Sequence, residues 1–282
     1  FSDPENILEP THRSITKRSA EMELVDTYGH HHQLWSISDS DFNAKLKDFF
    51  LDKRLFIADG HHRYETACNY RQHISDMGLL TEDHPANYVL MMCVAMEDPG
   101  LFVLPTHRLF KAPSLKGMTS EQLLEKLGDC FTARGAGEGL DVAESVWEDI
   151  ETTDDQGTIA LYTPADGKWN IVTITEAGRE RMAEVATDHH PEWQELGVSI
   201  LHTLLFETLL GQSDPLKPTY VHLVSEVVDE LKQSDDYPVA ALVMPATVAH
   251  IKQLSLMGER MPPKSTYFYP KLLSGLVFNP LE

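Results

Sequence analysis

Cysteine is scarce in this chain, cations are outnumbered, and no long apolar run occurs. Three cysteines, Cys68, Cys93 and Cys130, are scattered over 282 residues without a Cys-x-x-Cys pair. Such a set builds neither a disulfide framework nor a zinc knuckle, and it suits a reducing compartment. Lys and Arg number 23 against 44 Asp and Glu, a formal net charge of -21. That imbalance repels DNA, RNA and anionic lipid, so a nucleic-acid or membrane partner is disfavoured. No apolar stretch reaches the roughly 20 residues of a membrane span. The most apolar helical segment, 200–210, is interrupted by His202, Thr203, Glu207 and Thr208. A globular cytoplasmic protein is expected, with 42% apolar residues to fill its core.

What the chain does have is a concentrated motif. Leu55-Phe56-Ile57-Ala58 runs into Asp59-Gly60, and His61-His62-Arg63-Tyr64-Glu65-Thr66 follows. The pattern predicts a strand that stops at glycine and restarts as a helix. A helix start carries unpaired backbone N–H groups and the positive end of the helix dipole, which together favour an anion. Gly60 gives backbone access, Arg63 can grip two phosphate oxygens, and His62 and His61 can donate hydrogen bonds. Asp59 and Glu65 lie within a turn and are candidates for a base or a magnesium ligand, so Asp59, Glu65 and His61 are the catalytic candidates. Spacing alone fits equally well an ordinary strand–turn–helix with a capping aspartate.

Around the motif, 24–37 reads as a hairpin at Tyr28-Gly29 and 39–50 as an amphipathic helix. Residues 88–96 read as a buried strand, and 101–104 as another. Ser120 reads as the N-cap of a helix to Leu127. Gly135 to Gly139 reads as a flexible connection, since it lacks the Lys-Ser or Lys-Thr of a P-loop. A helix over 141–150 precedes a hairpin of 158–162 and 169–174. One long helix is expected over 192–210, stopped by Gly211. Strands at 220–223 and 239–243 alternate with helices at 225–232 and 248–257, the mark of an α/β or α+β layer.

Two further segments suit an anion. Thr106-His107-Arg108 follows a strand end, where ligands gather in α/β folds. Lys264-Ser265-Thr266 lies in a stretch from Arg260 to Lys271 rich in cations, hydroxyls and proline. Both segments read equally as structural turns. His30-His31-His32 reads as an exposed hairpin tip and not as metal ligands, because adjacent residues on a strand face opposite ways.

Ala58-Asp59-Gly60-His61-His62-Arg63-Tyr64-Glu65-Thr66-Ala67 resembles the hallmark of an uncharacterised family, the domain of unknown function ten-fifteen. The stretches His84 to Tyr88, Leu104 to Arg108 and Gly258 to Lys271 resemble it too, so the likeness spans nearly the whole chain. Family members carry a further N-terminal segment, which implies that this chain, opening at Phe1, lacks part of the fold. The motif is also similar, more distantly, to the phosphate-binding motif of the ParB, sulfiredoxin and free-serine-kinase superfamily. Sulfiredoxin's reactive cysteine has no counterpart in 59–63, which disfavours sulfinic-acid repair.

The resemblance implies an α+β fold: a ParB/sulfiredoxin-like core with an additional α/β portion. Residues 1–115 would carry the motif, 116–215 a hairpin-and-helix insertion, and 216–282 a C-terminal α/β portion completing the site. The implied activity is nucleotide-dependent phosphoryl transfer to a small molecule. ATP or ADP with Mg2+ would be the cofactor, and nucleotide and acceptor the partners. Gly60, His62, Arg63, Thr106, His107, Arg108, Lys264, Ser265 and Thr266 would hold phosphate or nucleotide. The alternatives are a nucleotide-sensing protein without turnover and a metal-dependent hydrolase built on the histidines.

Overall fold

The computed structural model describes residues 1–212, 218–271 and 273–281. The chain is a mixed α+β protein with two compact units, Phe1–Leu101 with Pro270–Glu282, and Phe102–Tyr269. The boundary expected at residue 115 falls inside the second unit, and the one at 215 lies outside the described residues.

In the first unit, α1 (Glu9–Thr16) precedes the antiparallel hairpin of β1 (Met22–Val25) and β2 (His31–Leu34). Helix α2 (Ser40–Leu51) is capped by Asp39, which accepts from the Phe42 N–H at 2.7 Å. The Phe1 ring packs edge-on against Phe49 and Phe50 from α2. Helix α3 (His61–Asp76) carries the motif and buries Ile74. The strands expected at 55–58 and 88–96 do not form. Leu55, Ile57 and the run from Tyr88 to Met92 stay exposed, Met92 at 57%. An apolar run becomes a strand only when a neighbour satisfies its N–H and C=O groups. Here no neighbouring strand pairs with either run among the described residues, although the Phe1 amino group donates to Val94 O and the Met96 N–H to Phe1 O.

The second unit holds β3 (Phe102–Leu104), β4 (His107–Phe110), β5 (Phe131–Glu138), β6 (Thr158–Thr163), β7 (Lys168–Ile174), β8 (Thr219–Val221), β9 (Val239–Val243) and β10 (Tyr267–Tyr269). Strands β3 and β10 pair with each other, and the other six form one antiparallel sheet in the order β5-β7-β6-β9-β4-β8. Both faces of that sheet are covered. Leu109, Ala160, Tyr162, Trp169 and Leu242 pack with α5 (Ala143–Thr153) and α9 (Val224–Gln233). On the other face Phe110, Ile159, Leu161, Val172 and Val243 meet α4 (Ser120–Leu127), α6 (Glu176–Val185), the helical stretch from Pro191 to Leu209, and α10 (Val248–Leu256).

Three local expectations are corrected. Thr119, not Ser120, caps α4 in a reciprocal capping box with Gln122, while the Ser120 hydroxyl donates to Asp166. Residues 135–138 are no flexible connection, because β7 offers a ladder and β5 runs through them with a bulge between Gly135 and Gly137. At Gly137, φ is +137°, and a Cβ would stand 2.9 Å from Val142. The long helix over 192–210 is broken into α7 (Pro191–Gln194), α8 (Gly197–Ser199) and a π-helix over Ile200–Leu209. Leu196 turns extended there, and the Gly197 N–H is taken by the Gln156 side chain at 3.1 Å. Among the described residues, no helix is long and apolar enough to cross a membrane.

The core geometry sets two expectations. Leu161, fully buried in the sheet, loses about 2–5 kcal/mol of stability on truncation to Ala. Leu90→Ala stays within about 0.5 kcal/mol, because its side chain is already half in solvent. Urea denaturation of the two variants checks the contrast. His202, on the π-helix, has an Nε2 that is shut off from solvent without a partner. Burial, with help from Arg108, lowers its pKa to about 4. Unfolded chains bind that proton below about pH 6.5 while the folded chain declines it, so stability falls as pH drops from about 6.5 to 4. His202→Gln flattens that slope by at most about 3 kcal/mol, read from urea midpoints measured between pH 7 and 4.

Candidate functional site

Gly60 adopts the left-handed region, φ +86°, at the start of the 16-residue α3. Having no side chain, it leaves the helix start uncapped. The first bond of the helical ladder runs from the Tyr64 N–H to Gly60 O at 2.9 Å. Helix geometry therefore leaves the N–H groups of His61, His62 and Arg63 outside that ladder. Arg63 folds back over the opening. Its Nη2 donates to Asp59 Oδ2 at 3.1 Å, and a Cβ built on Gly60 would stand 3.0 Å from the guanidinium. Only glycine combines this backbone with this approach.

Asp59 Oδ2 draws a second cation, the Lys271 Nζ at 3.7 Å. Lys271 is 212 positions downstream and belongs to the same unit. It was embedded in the cation-rich segment from Arg260 to Lys271, but nothing in its spacing set it apart from Lys264. Both ion pairs are well exposed, and pairs of that kind contribute little to stability. Arg63 and Lys271 can therefore exchange a carboxylate for a phosphate at small cost. His62 is fully exposed, with its Nδ1 3.4 Å from Glu65 Oε2. His61 is exposed as well. The structure thus gathers Asp59, Gly60, Arg63 and Lys271 at one helix start, with His61, His62 and Glu65 on its first turn.

One of the three other stretches that resemble the family, His84 to Tyr88, has a supporting role. His84 Nδ1 accepts from the Ala86 N–H at 3.0 Å and caps the short 3-10 turn Pro85–Asn87. Arg71 of α3 donates to Asn87 Oδ1 at 2.9 Å, which ties the helix to that turn.

Thr106, His107, Arg108, Lys264, Ser265 and Thr266 belong to the second unit, and four of them, Thr106, His107, Arg108 and Ser265, are buried. Arg108 is 0% exposed. It donates through Nη1 to Thr106 O and through Nη2 to Lys264 O, the latter at 2.9 Å, and its guanidinium lies over the Tyr220 ring. Burial lowers its pKa to about 10, so it stays charged near neutrality. The Ser265 hydroxyl donates to Pro262 O at 2.6 Å. Lys264 has φ +57° and an exposed side chain, and Thr266 is half-buried. His107 lies edge-on to Trp147, accepts the Val243 N–H at Nδ1, and is held neutral by burial, its pKa lowered to about 3. His222 Nδ1 donates to Pro105 O at 3.1 Å beside Thr106, and its ring lies against Tyr267.

No curated protein matches the chain. Among solved structures it is similar to a conserved hypothetical protein from Pyrococcus furiosus, at 11% identity and a TM-score of 0.37, over 83% of this chain and 84% of that one. It is similar too to a free serine kinase in complex with AMP, at 11% identity and a TM-score of 0.35, over 83% and 81% of the two chains. A substituted form of a free serine kinase in complex with ADP shares 12% identity, with a TM-score of 0.36 and the same coverage. A family described as protein of unknown function (DUF1015) matches residues 1–199. With more than half its length matched, and with the Asp59 to Arg63 helix start inside the match, this chain belongs to that family.

Proposed function

We propose that the chain binds the phosphates of a nucleotide, ATP or ADP, at the start of α3 and transfers a phosphoryl group to a small molecule. One observation carries the reading: an uncapped helix start at Gly60, with Arg63 and Lys271 both drawn to Asp59 beside it. Backbone N–H groups and two cations converge on one exposed spot, which is what a phosphate requires. The ParB/sulfiredoxin-like character of the motif supports the same ligand class, and we assign that core to the first unit. Arg63 would leave Asp59 for the phosphate oxygens, with His61 and His62 donating from the first turn. Asp59 and Glu65 offer hard oxygen ligands for Mg2+, and either can accept the acceptor's proton. Phosphoryl transfer asks mainly for positioning and charge neutralisation, and these residues supply both.

A second reading, nucleotide sensing without turnover, has one observation in its favour. Asp59 Oδ2 already faces two cations, so the oxygen that would take an acceptor's proton is occupied.

Isothermal titration with ATP, ADP and AMP, with and without Mg2+, tests the binding. Arg63→Ala is expected to weaken it at least about tenfold, the effect of losing one charge-assisted contact. Gly60→Ala strains the left-handed backbone and crowds Arg63, and is expected to weaken it similarly. A folded chain that binds none of the three nucleotides would sink the reading. Asp59→Asn removes a competing anion, so binding in the absence of Mg2+ persists or tightens, while Asp59→Asn combined with Glu65→Gln abolishes acceptor phosphorylation if the protein is a transferase. A wild-type chain that binds nucleotide but phosphorylates no small hydroxyl compound is a sensor.

A further inference from the structure

We infer that Asp26, His30 and His32 form a site for a divalent transition metal, zinc by its donor set, that clamps the β1–β2 hairpin. The site involves no residue of the Asp59 to Arg63 helix start. His30 and His32 are two apart on extended chain and so share a face, whereas His31 between them points away and is exposed. Asp26 follows the last residue of β1 and meets both imidazoles across the turn. Its Oδ2 is 3.1 Å from His30 Nδ1 and 3.0 Å from His32 Nε2. All three ligand atoms lie within 4.8 Å of one another.

The carboxylate is held ready for this. Its Oδ1 accepts the N–H groups of Tyr28 at 2.8 Å and His30 at 2.9 Å, so Oδ2 alone turns to the histidines. Backbone bonds of this kind orient a ligating carboxylate and are half of what makes a metal site selective. Zinc takes nitrogen at about 2.0–2.1 Å and carboxylate oxygen at about 2.0–2.2 Å, which puts tetrahedral ligand atoms about 3.3–3.5 Å apart. The two nitrogen–oxygen spacings, 3.1 and 3.0 Å, need to open by only a few tenths of an ångström, and the two nitrogens already lie within 4.8 Å of each other. Two imidazoles and one oxygen suit zinc or a neighbouring first-row ion and do not suit calcium or magnesium. Asp26 and His32 side chains are mostly covered, while His30 is 38% exposed, so the fourth position faces solvent.

The fold supplies a reason for a clamp. The hairpin is a two-stranded sheet, and none of its residues is buried among the described residues. Such a hairpin is marginal in water without a further tie. A metal joining the end of β1 to the entry of β2 closes the turn with coordinate bonds. The same two imidazoles now donate N–H groups to Oδ2. With metal bound, those nitrogens give their lone pairs to the ion, and each ring carries its proton on the other nitrogen.

The test uses the whole chain, stripped with a chelator and titrated with Zn2+ against a chromogenic competitor. One Zn2+ per chain is expected, and Co2+ in its place should show the visible bands of a four-coordinate ion. His30→Gln and His32→Gln should each weaken Zn2+ at least about tenfold, and the double variant should lose the stoichiometric site. His12→Gln, outside the cluster, should bind as the wild type does. Zn2+ should also raise the Tm of the wild type and leave that of the double variant unmoved, a readout that holds even if the substitutions loosen the hairpin. Failure of the wild type to take up one Zn2+, or retention of one Zn2+ by the folded double variant, overturns the inference.

Discussion

Double burial of the six-stranded sheet governs most of the second unit. Along β6 the side chains of Ile159 and Leu161 enter one core, and those of Ala160 and Tyr162 the other. The same split runs through Leu109 and Phe110 on β4. The central strands β6 and β9 are buried at every position, so neither face tolerates water there, and helices cover both. Antiparallel sheets often leave one face wet; the middle of this one has the strand composition of a buried parallel sheet. The chain answers with α5 and α9 on one side and with α4, α6, the Pro191 to Leu209 stretch and α10 on the other.

Into that apolar setting β4 brings Arg108, a cation shielded from solvent. Burying a charge is costly unless hydrogen bonds and nearby electrons offset the lost hydration. Here the carbonyls of Thr106 and Lys264 and the Tyr220 ring do so. One consequence is structural: the loop that bears Lys264 and Ser265 is fastened to the end of β3 and the start of β4. Another is electrostatic, since the charge helps to keep His107 and His202 neutral. Of the residues that suggested an anion site in the sequence, Arg108 and Ser265 hold backbone carbonyls here.

The helix start was legible because everything it needs is local. Gly60 and Arg63 are separated by one helical turn, and the left-handed glycine, the returning arginine and the Asp59 partner follow from that spacing. The family resemblance rested on the same residues, and the match over 1–199 bears it out. Lys271 was not legible as a partner of Asp59, because a contact spanning 212 positions depends on the path of the chain. The Asp26, His30 and His32 cluster was missed for a different reason. Adjacent histidines do face opposite ways, but the alternate pair His30 and His32 shares a face, and the aspartate that completes the set lies across the turn.

Local rules carried the α2, α3, α5, α9 and α10 helices, the β6–β7 hairpin and the turn at Tyr28-Gly29, since periodicity, caps and turn residues act within a few positions. They could not tell whether an apolar run would find a partner. Residues 55–58 and 88–92 look as much like strands as 239–243 does, yet only the last lies between two neighbours, β6 and β4, that accept its hydrogen bonds. Glycines at 135 and 137 suggested a loop, and β7 made them part of a strand. Apolar continuity predicted one helix over 192–210, and the Gln156 side chain, together with the extended backbone at Leu196, divided it. The sequence by itself determined an α+β chain, its family and the helix start at Gly60. Tertiary structure decided which strands exist, which cations reach Asp59 and which are buried, because backbone pairing and charge burial depend on neighbours distant in the chain.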